Sequence, residues 1–356
     1  MLKKWIFGVF SAMMVFTLAA CSTGAATNGS VQGDVGQAGN GSKVAIAYNN
    51  PPLWANWEAV QAKFMEQAGI RVPADNKNSG QAMTAMIAEK SRPVADVAYL
   101  GITFGEKAVQ EDVVQGYKPE HFDEIPADLK DPEGKWMAIH YGAIAFIVNK
   151  DALGDVPVPQ SWADLLKPEY KGKVGFLDPT SASVGYSVVT AANIAMGGSL
   201  DNWNPGFKYL QQLEQNGAIH PKQTATAKVM KGEIPILIDA DFNGYTMKYN
   251  DNAPVEVVIP QEGSLKIPYI ISLVKNAPNE ENGKKYIDFM LSDEGQQLFA
   301  QGYVRPIRSI QIPKETQDKF LPARDYERVQ SVDYAQMNKV QDQVNNRWKN
   351  EVTAGK

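Results

Sequence analysis

Cysteine occurs once in this chain of 356 residues and histidine three times. A single cysteine rules out an intramolecular disulfide, so the fold must rest on its core, and the chain is long enough to bury one. His121, His140 and His220 lie far apart and share no spacing that would hold a metal or complete a catalytic pair. A G-x-S-x-G stretch is missing too, which argues against a secreted hydrolase. The chain therefore reads as a non-enzyme that calls for no cofactor and no metal. Basic charge is not in excess: 35 Lys and Arg stand against 40 Asp and Glu, a net charge of −5. That acidic balance speaks against nucleic acid as a partner. Beyond the first twenty residues no apolar run is long enough to cross a membrane.

The amino end carries more signal. "MLKK" is a short basic start, followed by the uncharged run "WIFGVFSAMMVFTLAA". Together they have the form of an export signal over 1–20. The run ends in "LAAC", which resembles the bacterial lipobox, with Cys21 as the residue that takes lipid, palmitate among the acyl chains. Lipid on Cys21 would hold an extracytoplasmic domain to the membrane, at the cell surface or on the periplasmic side. Removing the leader takes Lys3 and Lys4 and no acid, so the mature charge is 33 − 40 = −7. Residues 21–42 are Gly, Ser, Asn, Ala and Thr with little apolar bulk, the composition of a flexible tether.

From about Lys43 strands alternate with helices. "KVAIAY" reads as a strand. "NWEAVQAKFMEQAG" places Trp57, Val60, Phe64 and Ala68 at helical spacing and stops at Gly69. "IRVPADN" is extended, with Pro73 suggesting an edge. "SGQAMTAMIAEKS" reads as a helix with Met83, Met86 and Ile87 on one face, and "ADVAYLG" as a buried strand. The alternation predicts a mostly parallel sheet. "WMAIHYGAIAFIVNK" is long and apolar with a polar break at 140–142, a strand able to leave one sheet for another. A second α/β stretch follows, and "VEVVIP" and "IPYIISLVK" carry the chain back. Two crossings between two α/β lobes predict a hinged α/β fold with a ligand crevice at the carboxyl ends of strands.

Several stretches resemble bacterial solute-binding lipoproteins of ABC importers, which have the type II bilobal periplasmic-binding-protein fold. They are "NSGQAMTAMIAEKSRPVADVAYLG", "YGAIAFIVNK", "PQSWADLLKPEYKGKVGFLDPTSASVGY" and "NGKKYIDFMLSDEGQQLFAQGYVRPIR". The resemblance implies lobe 1 from 43–140 and 262–305 and lobe 2 from 141–261. Residues 306–356 supply C-terminal helices of open lobe assignment. It also implies a monomer that captures a small solute and delivers it to permease transmembrane subunits with a cytoplasmic ATPase. The subgroup it resembles includes binding proteins for ferric iron, thiamine, phosphonates and sugar phosphates.

Candidate ligand residues cluster at strand ends and helix starts. In "DPTSASVGYS", Ser181 and Ser183 sit where free backbone N–H groups suit an anion. Asn78 and Ser79, followed by Gly80, repeat that geometry. Asn49 and Asn50 follow the first strand, with Trp54 able to cover an apolar or cationic group. Tyr99 ends another strand, and Tyr141 sits at the crossing. "DADFNGYTMKYN" (239–250) opens like an EF-hand loop, D-x-D-x-N-G, but Met247 and Asn250 occupy positions nine and twelve. A calcium loop needs a bidentate carboxylate at twelve and a helix before it. Asp239, Asp241 and Asn243 are instead expected to face the same crevice as Ser181, alternation sending both aspartates to one side. They would meet a cation, an amine or sugar hydroxyls; a loop held by Asx turns, with left-handed Gly244, is the plainer alternative. Tyr245 and Tyr249 could add an aromatic wall. Iron-binding members share an adjacent tyrosine pair; here Tyr186 stands alone. The expectation is a small ligand with an anionic group and a cationic or hydroxylated part, a phosphonate or sugar phosphate. Polyamine, thiamine and ferric ion are the alternatives.

Overall fold

The computed structural model describes residues 43–52, 54–221 and 225–354. The expected signal peptide, Cys21 and the tether lie outside them. Among the described residues no helix is long and apolar enough to cross a membrane.

The strands are β1 (Ala47–Tyr48), β2 (Ala74–Asp75), β3 (Val97–Gly101), β4 (Val114–Gln115), β5 (Met137–Asn149) and β6 (Val174–Gly175). After them come β7 (Ile236–Ala240), β8 (Val255–Val258), β9 (Ser264–Val274), β10 (Arg305–Pro306) and β11 (Val329–Gln330). Their main order is β2-β1-β3-β9-β5-β7-β6. β2 is the edge, as Pro73 suggests, and β1 pairs with β2 and β3 in parallel. The centre differs from the expected mostly parallel sheet: β9 is antiparallel to both β3 and β5, and β7 is antiparallel to β5. The reason is that two long strands run between the lobes in opposite directions, which local β-α-β alternation does not reveal.

β5 makes the crossing. Twelve of its thirteen residues are buried, Tyr141 being the half-buried one. From Met137 to Ala143 it pairs with β9, and from Ile144 to Val148 with β7. A register shift between Ala138 and His140 bends it on the way. The helix Trp57–Ala68 buries Trp57, Val60 and Phe64 and ends on left-handed Gly69. Each such side chain contributes about 1.5–3 kcal/mol by leaving water. In the helix Ser79–Ala88, Met83 and Met86 are buried, but Ile87 is 37% exposed and does not share their face.

The C-terminal segment crosses between the lobes a third time. β10 adds to β5, and Arg308 is tied to Glu124 and Asp293. Further on, Arg328 donates to the Ile259 carbonyl. The helix Tyr334–Arg347 then accepts the Tyr186 hydroxyl on the Met337 carbonyl, and Trp348 packs on Phe176 and His220.

The change of partners in β5 leaves the Ala143 N–H to be satisfied, and the Asp241 Oδ1 accepts it at 2.9 Å. Asp241 is fully buried; its Oδ2 accepts from the Arg305 guanidinium at 2.8 Å and from the Tyr326 hydroxyl at 3.1 Å. Arg305 lies over the Tyr326 ring at 3.8 Å. Removing one member of such a pair strands the other charge, which costs about 3–5 kcal/mol. Arg305→Met is therefore expected to lose about that much in urea unfolding, and adding Asp241→Asn to recover a substantial part of it.

Candidate functional site

A cavity of about 180 Å³ lies between the two lobes. That is the liquid volume of about six waters, below the usual range for drug-sized pockets. One wall comes from the β1–β3 side: Asn49, Trp54, Asn76, Lys77, Asn78, Ser79, Gln81 and Tyr99, with Tyr269 of β9. The other comes from Leu177, Ala182, Ser183 and Val184. Among the described lining residues there is no Asp or Glu, and Lys77 is the one formal charge.

Two helix amino ends meet here. The helix Ser79–Ala88 begins with a capping box: the Asn78 side chain accepts from the Gln81 N–H, and the Gln81 side chain accepts from the Asn78 N–H. Ser79 is buried, and its hydroxyl oxygen accepts the Gly101 N–H at 3.1 Å, which leaves its own proton to donate. The helix Ser183–Ala195 begins without a side-chain cap, so its first N–H groups have no acceptor within the helix. Its dipole adds partial positive charge at the same point. The walls meet closely: a Cβ on Gly101 would lie 1.9 Å from the Ser183 hydroxyl, and one on Gly80 3.2 Å from the Ser181 carbonyl. The Ser183 and Thr103 hydroxyls are 3.5 Å apart. Lys77 is paired with Asp75 and stands over the Tyr48 ring at 4.8 Å.

The third component is aromatic. Tyr99 and Tyr269 stack with centroids 5.3 Å apart. The Trp54 indole N–H donates to the Tyr99 hydroxyl at 3.0 Å, and that hydroxyl lies 3.0 Å from His140 Nε2. His140 is fully buried, and burial pushes its pKa down to about 3.

Of the residues singled out in the sequence, Asn49, Trp54, Asn78, Ser79, Tyr99 and Ser183 line this cavity. The others stand elsewhere. Asn50 is buried and donates to the Tyr286 hydroxyl. Tyr141 lies under the Lys266 ammonium, 4.9 Å from its ring centre. Ser181 donates to the Asp178 carbonyl and, with Thr180, lines an outer groove shared with the C-terminal helix. Ser181 and Asp239 thus do not share one gap. The 239–250 stretch is neither a calcium loop nor an Asx-turn loop: after β7 it continues as the helix Asp241–Tyr249. Gly244 lies within that helix, where a Cβ would sit 2.6 Å from the Val257 side chain. Asp241 is committed to Arg305 and the Ala143 N–H. Asp239 is buried and accepts from the Asn243 amide and the Ala240 N–H. Tyr245 packs against Tyr303 and Phe320 instead of forming a cavity wall. Among the described residues no group of three or more His, Cys, Asp or Glu could hold a metal. Lys77, Gln81 and Tyr269 went unread. Lys77 and Gln81 adjoin the "NSG" helix start, which was a usable signal; Tyr269 had only its place in a crossing strand.

Residues 92–340 match the family described as bacterial extracellular solute-binding protein. The chain belongs to that family, with the bilobal type II fold of the receptors that serve ABC importers. It is 31% identical over 276 residues to a putative 2-aminoethylphosphonate-binding periplasmic protein of Salmonella typhimurium, covering 75% of this chain and 79% of that one. It is 25% identical over 296 residues to a spermidine/putrescine-binding periplasmic protein of Escherichia coli, covering 77% and 83%. Among solved structures, the periplasmic binding protein AfuA of Actinobacillus pleuropneumoniae, with fructose-6-phosphate bound, superposes with a TM-score of 0.76. That match is 23% identical and covers 89% of this chain and all of that one.

Burial raises the Asp239 pKa from 3.8 to about 6. A carboxyl raised in the folded state favours folding when protonated, so stability is expected to fall as pH rises from about 4 to 6 and then level off. The span corresponds to about 3 kcal/mol. Asp239→Asn keeps both accepted hydrogen bonds, so it should flatten that slope and be the more stable protein at pH 7, as denaturant unfolding at pH 4, 5, 6 and 7 would read.

Proposed function

We propose that this receptor captures a small anionic or zwitterionic solute of the aminoalkylphosphonate class between its lobes and passes it to an ABC permease. The supporting observation is the cavity at the meeting of two helix amino ends, with Lys77 beside it and no carboxylate among its described lining residues. Backbone N–H groups, two serine hydroxyls and one ammonium are donors for an oxyanion. A polyamine would need carboxylates, and the two aspartates expected to supply them are engaged elsewhere. The ammonium of a zwitterion has the rings of Trp54, Tyr99 and Tyr269 and the amide oxygens of Asn49 and Asn78 in the lining for partners. The similarity to the Salmonella protein points the same way. The lobes divide within β5 and β9, and the protein acts as a monomer.

Calorimetric titration of the mature protein with 2-aminoethylphosphonate should show binding, and spermidine should give no heat. Lys77→Met should weaken the phosphonate by about tenfold, the worth of one charge-assisted contact. Spermidine binding with 2-aminoethylphosphonate silent would overturn the assignment.

We also propose that Cys21 carries the membrane anchor, on the strength of the "LAAC" motif. Cells fed labelled palmitate should mark the native chain but not Cys21→Ser, which should leave the membrane fraction; equal labelling of both would exclude the anchor.

A further inference from the structure

One wall of the cavity is built unlike the rest. Trp54 stands on the loop after β1 and makes contacts on both sides of the cleft. On its own side, its N–H is held by the Tyr99 hydroxyl at 3.0 Å. An oxygen that accepts the indole proton must direct its own proton elsewhere, and His140 Nε2 lies 3.0 Å away. A fully buried imidazole is neutral, so Nε2 accepts the hydroxyl proton in one tautomer and donates to the hydroxyl oxygen in the other. In either tautomer hydrogen bonds link Trp54 through Tyr99 to His140 and orient the indole.

On the other side the indole meets Phe242 edge-on, with centroids 4.8 Å apart at 86°. Phe242 is fully buried and follows Asp241, whose carboxylate is pinned at the crossing. It reaches Trp54 by lying across Gly142, where a Cβ would stand 2.7 Å from its ring. His140 and Gly142 are two residues apart on β5, so one short stretch of the crossing strand sets both supports of Trp54.

We propose that Trp54 is the positioning residue that couples the solute cavity to closure of the lobes, clamped through Tyr99 to His140 and seated on Phe242. The Trp54–Phe242 contact joins elements from the β1–β3 and β7 sides and exists only while they are together. A solute that fills the cavity adds contact to the same indole in the same state. Occupancy and closure thereby favour each other through one side chain. This inference rests on the cavity being the solute site, but the lobe equilibrium it concerns exists without any solute.

The mature protein would be labelled with 5-fluorotryptophan and its Trp54 signal assigned by its loss in Trp54→Phe. Fluorine NMR without solute should then show Trp54 exchanging between seated and unseated environments. Tyr99→Phe should shift that solute-free balance toward the unseated form by about threefold or more. It should weaken 2-aminoethylphosphonate by a similar factor, as linkage requires. His140→Gln, which offers an acceptor oxygen near the same place, should behave as the native chain. Phe242→Leu, which removes the ring on the other side, should shift the balance as Tyr99→Phe does and serves if that variant fails to fold. A Trp54 signal and solute-free balance unchanged in both Tyr99→Phe and Phe242→Leu would overturn the coupling. Failure of 2-aminoethylphosphonate to bind the native chain would instead count against the ligand assignment, since the solute-free spectra still decide the coupling.

Discussion

The architecture depends on one backbone N–H. Where β5 leaves β9 for β7, the ladder cannot serve Ala143, and a buried amide without an acceptor costs about as much as a lost hydrogen bond. Asp241 supplies the acceptor, and a carboxylate there must be neutralised, which Arg305 and Tyr326 do. These groups come from the crossing strand, the helix after β7 and the C-terminal segment. A single local need for hydrogen bonding thus ties three of the elements that meet at the hinge to one another. The two walls of the cavity are built outward from that point.

The cavity itself works mostly with partial charges. Its donors are hydroxyls, amides and the first N–H groups of two helices, supplemented by one lysine that has its own acidic neighbour. Such groups keep their orientation because the helices behind them are packed, so they would lose little freedom on meeting the proposed solute. The same logic explains glycine at 101 and 80: the two ends can converge only where one side carries no Cβ.

Much of this was legible from the chain. The apolar length of 136–150 announced a strand shared between two layers, and the "NSG" and "SAS" segments announced helix starts beside a crevice. Alternation of strand and helix gave the parallel edge β2-β1-β3 but not the antiparallel centre, which is formed by segments 88 to 176 residues apart. The aspartates of 239–250 show the sharper limit. A carboxylate at a strand end has one local signature whether it faces a cleft or an arginine, and Arg305 lies 64 residues further on. His140 is similar. Its spacing marked it as no ligand, but nothing nearby in sequence showed that it would sit beneath Tyr99.

The third passage of the chain between the lobes has a mechanical meaning. Two antiparallel strands side by side make a joint that bends but can also twist. A further link, fastened at Arg308 on one body and Arg328 on the other, adds a tether off that axis. A tether placed there would resist torsion more than bending. The empty receptor should therefore explore a narrow fan of related openings, each of which presents its faces to a membrane partner in nearly the same relative bearing.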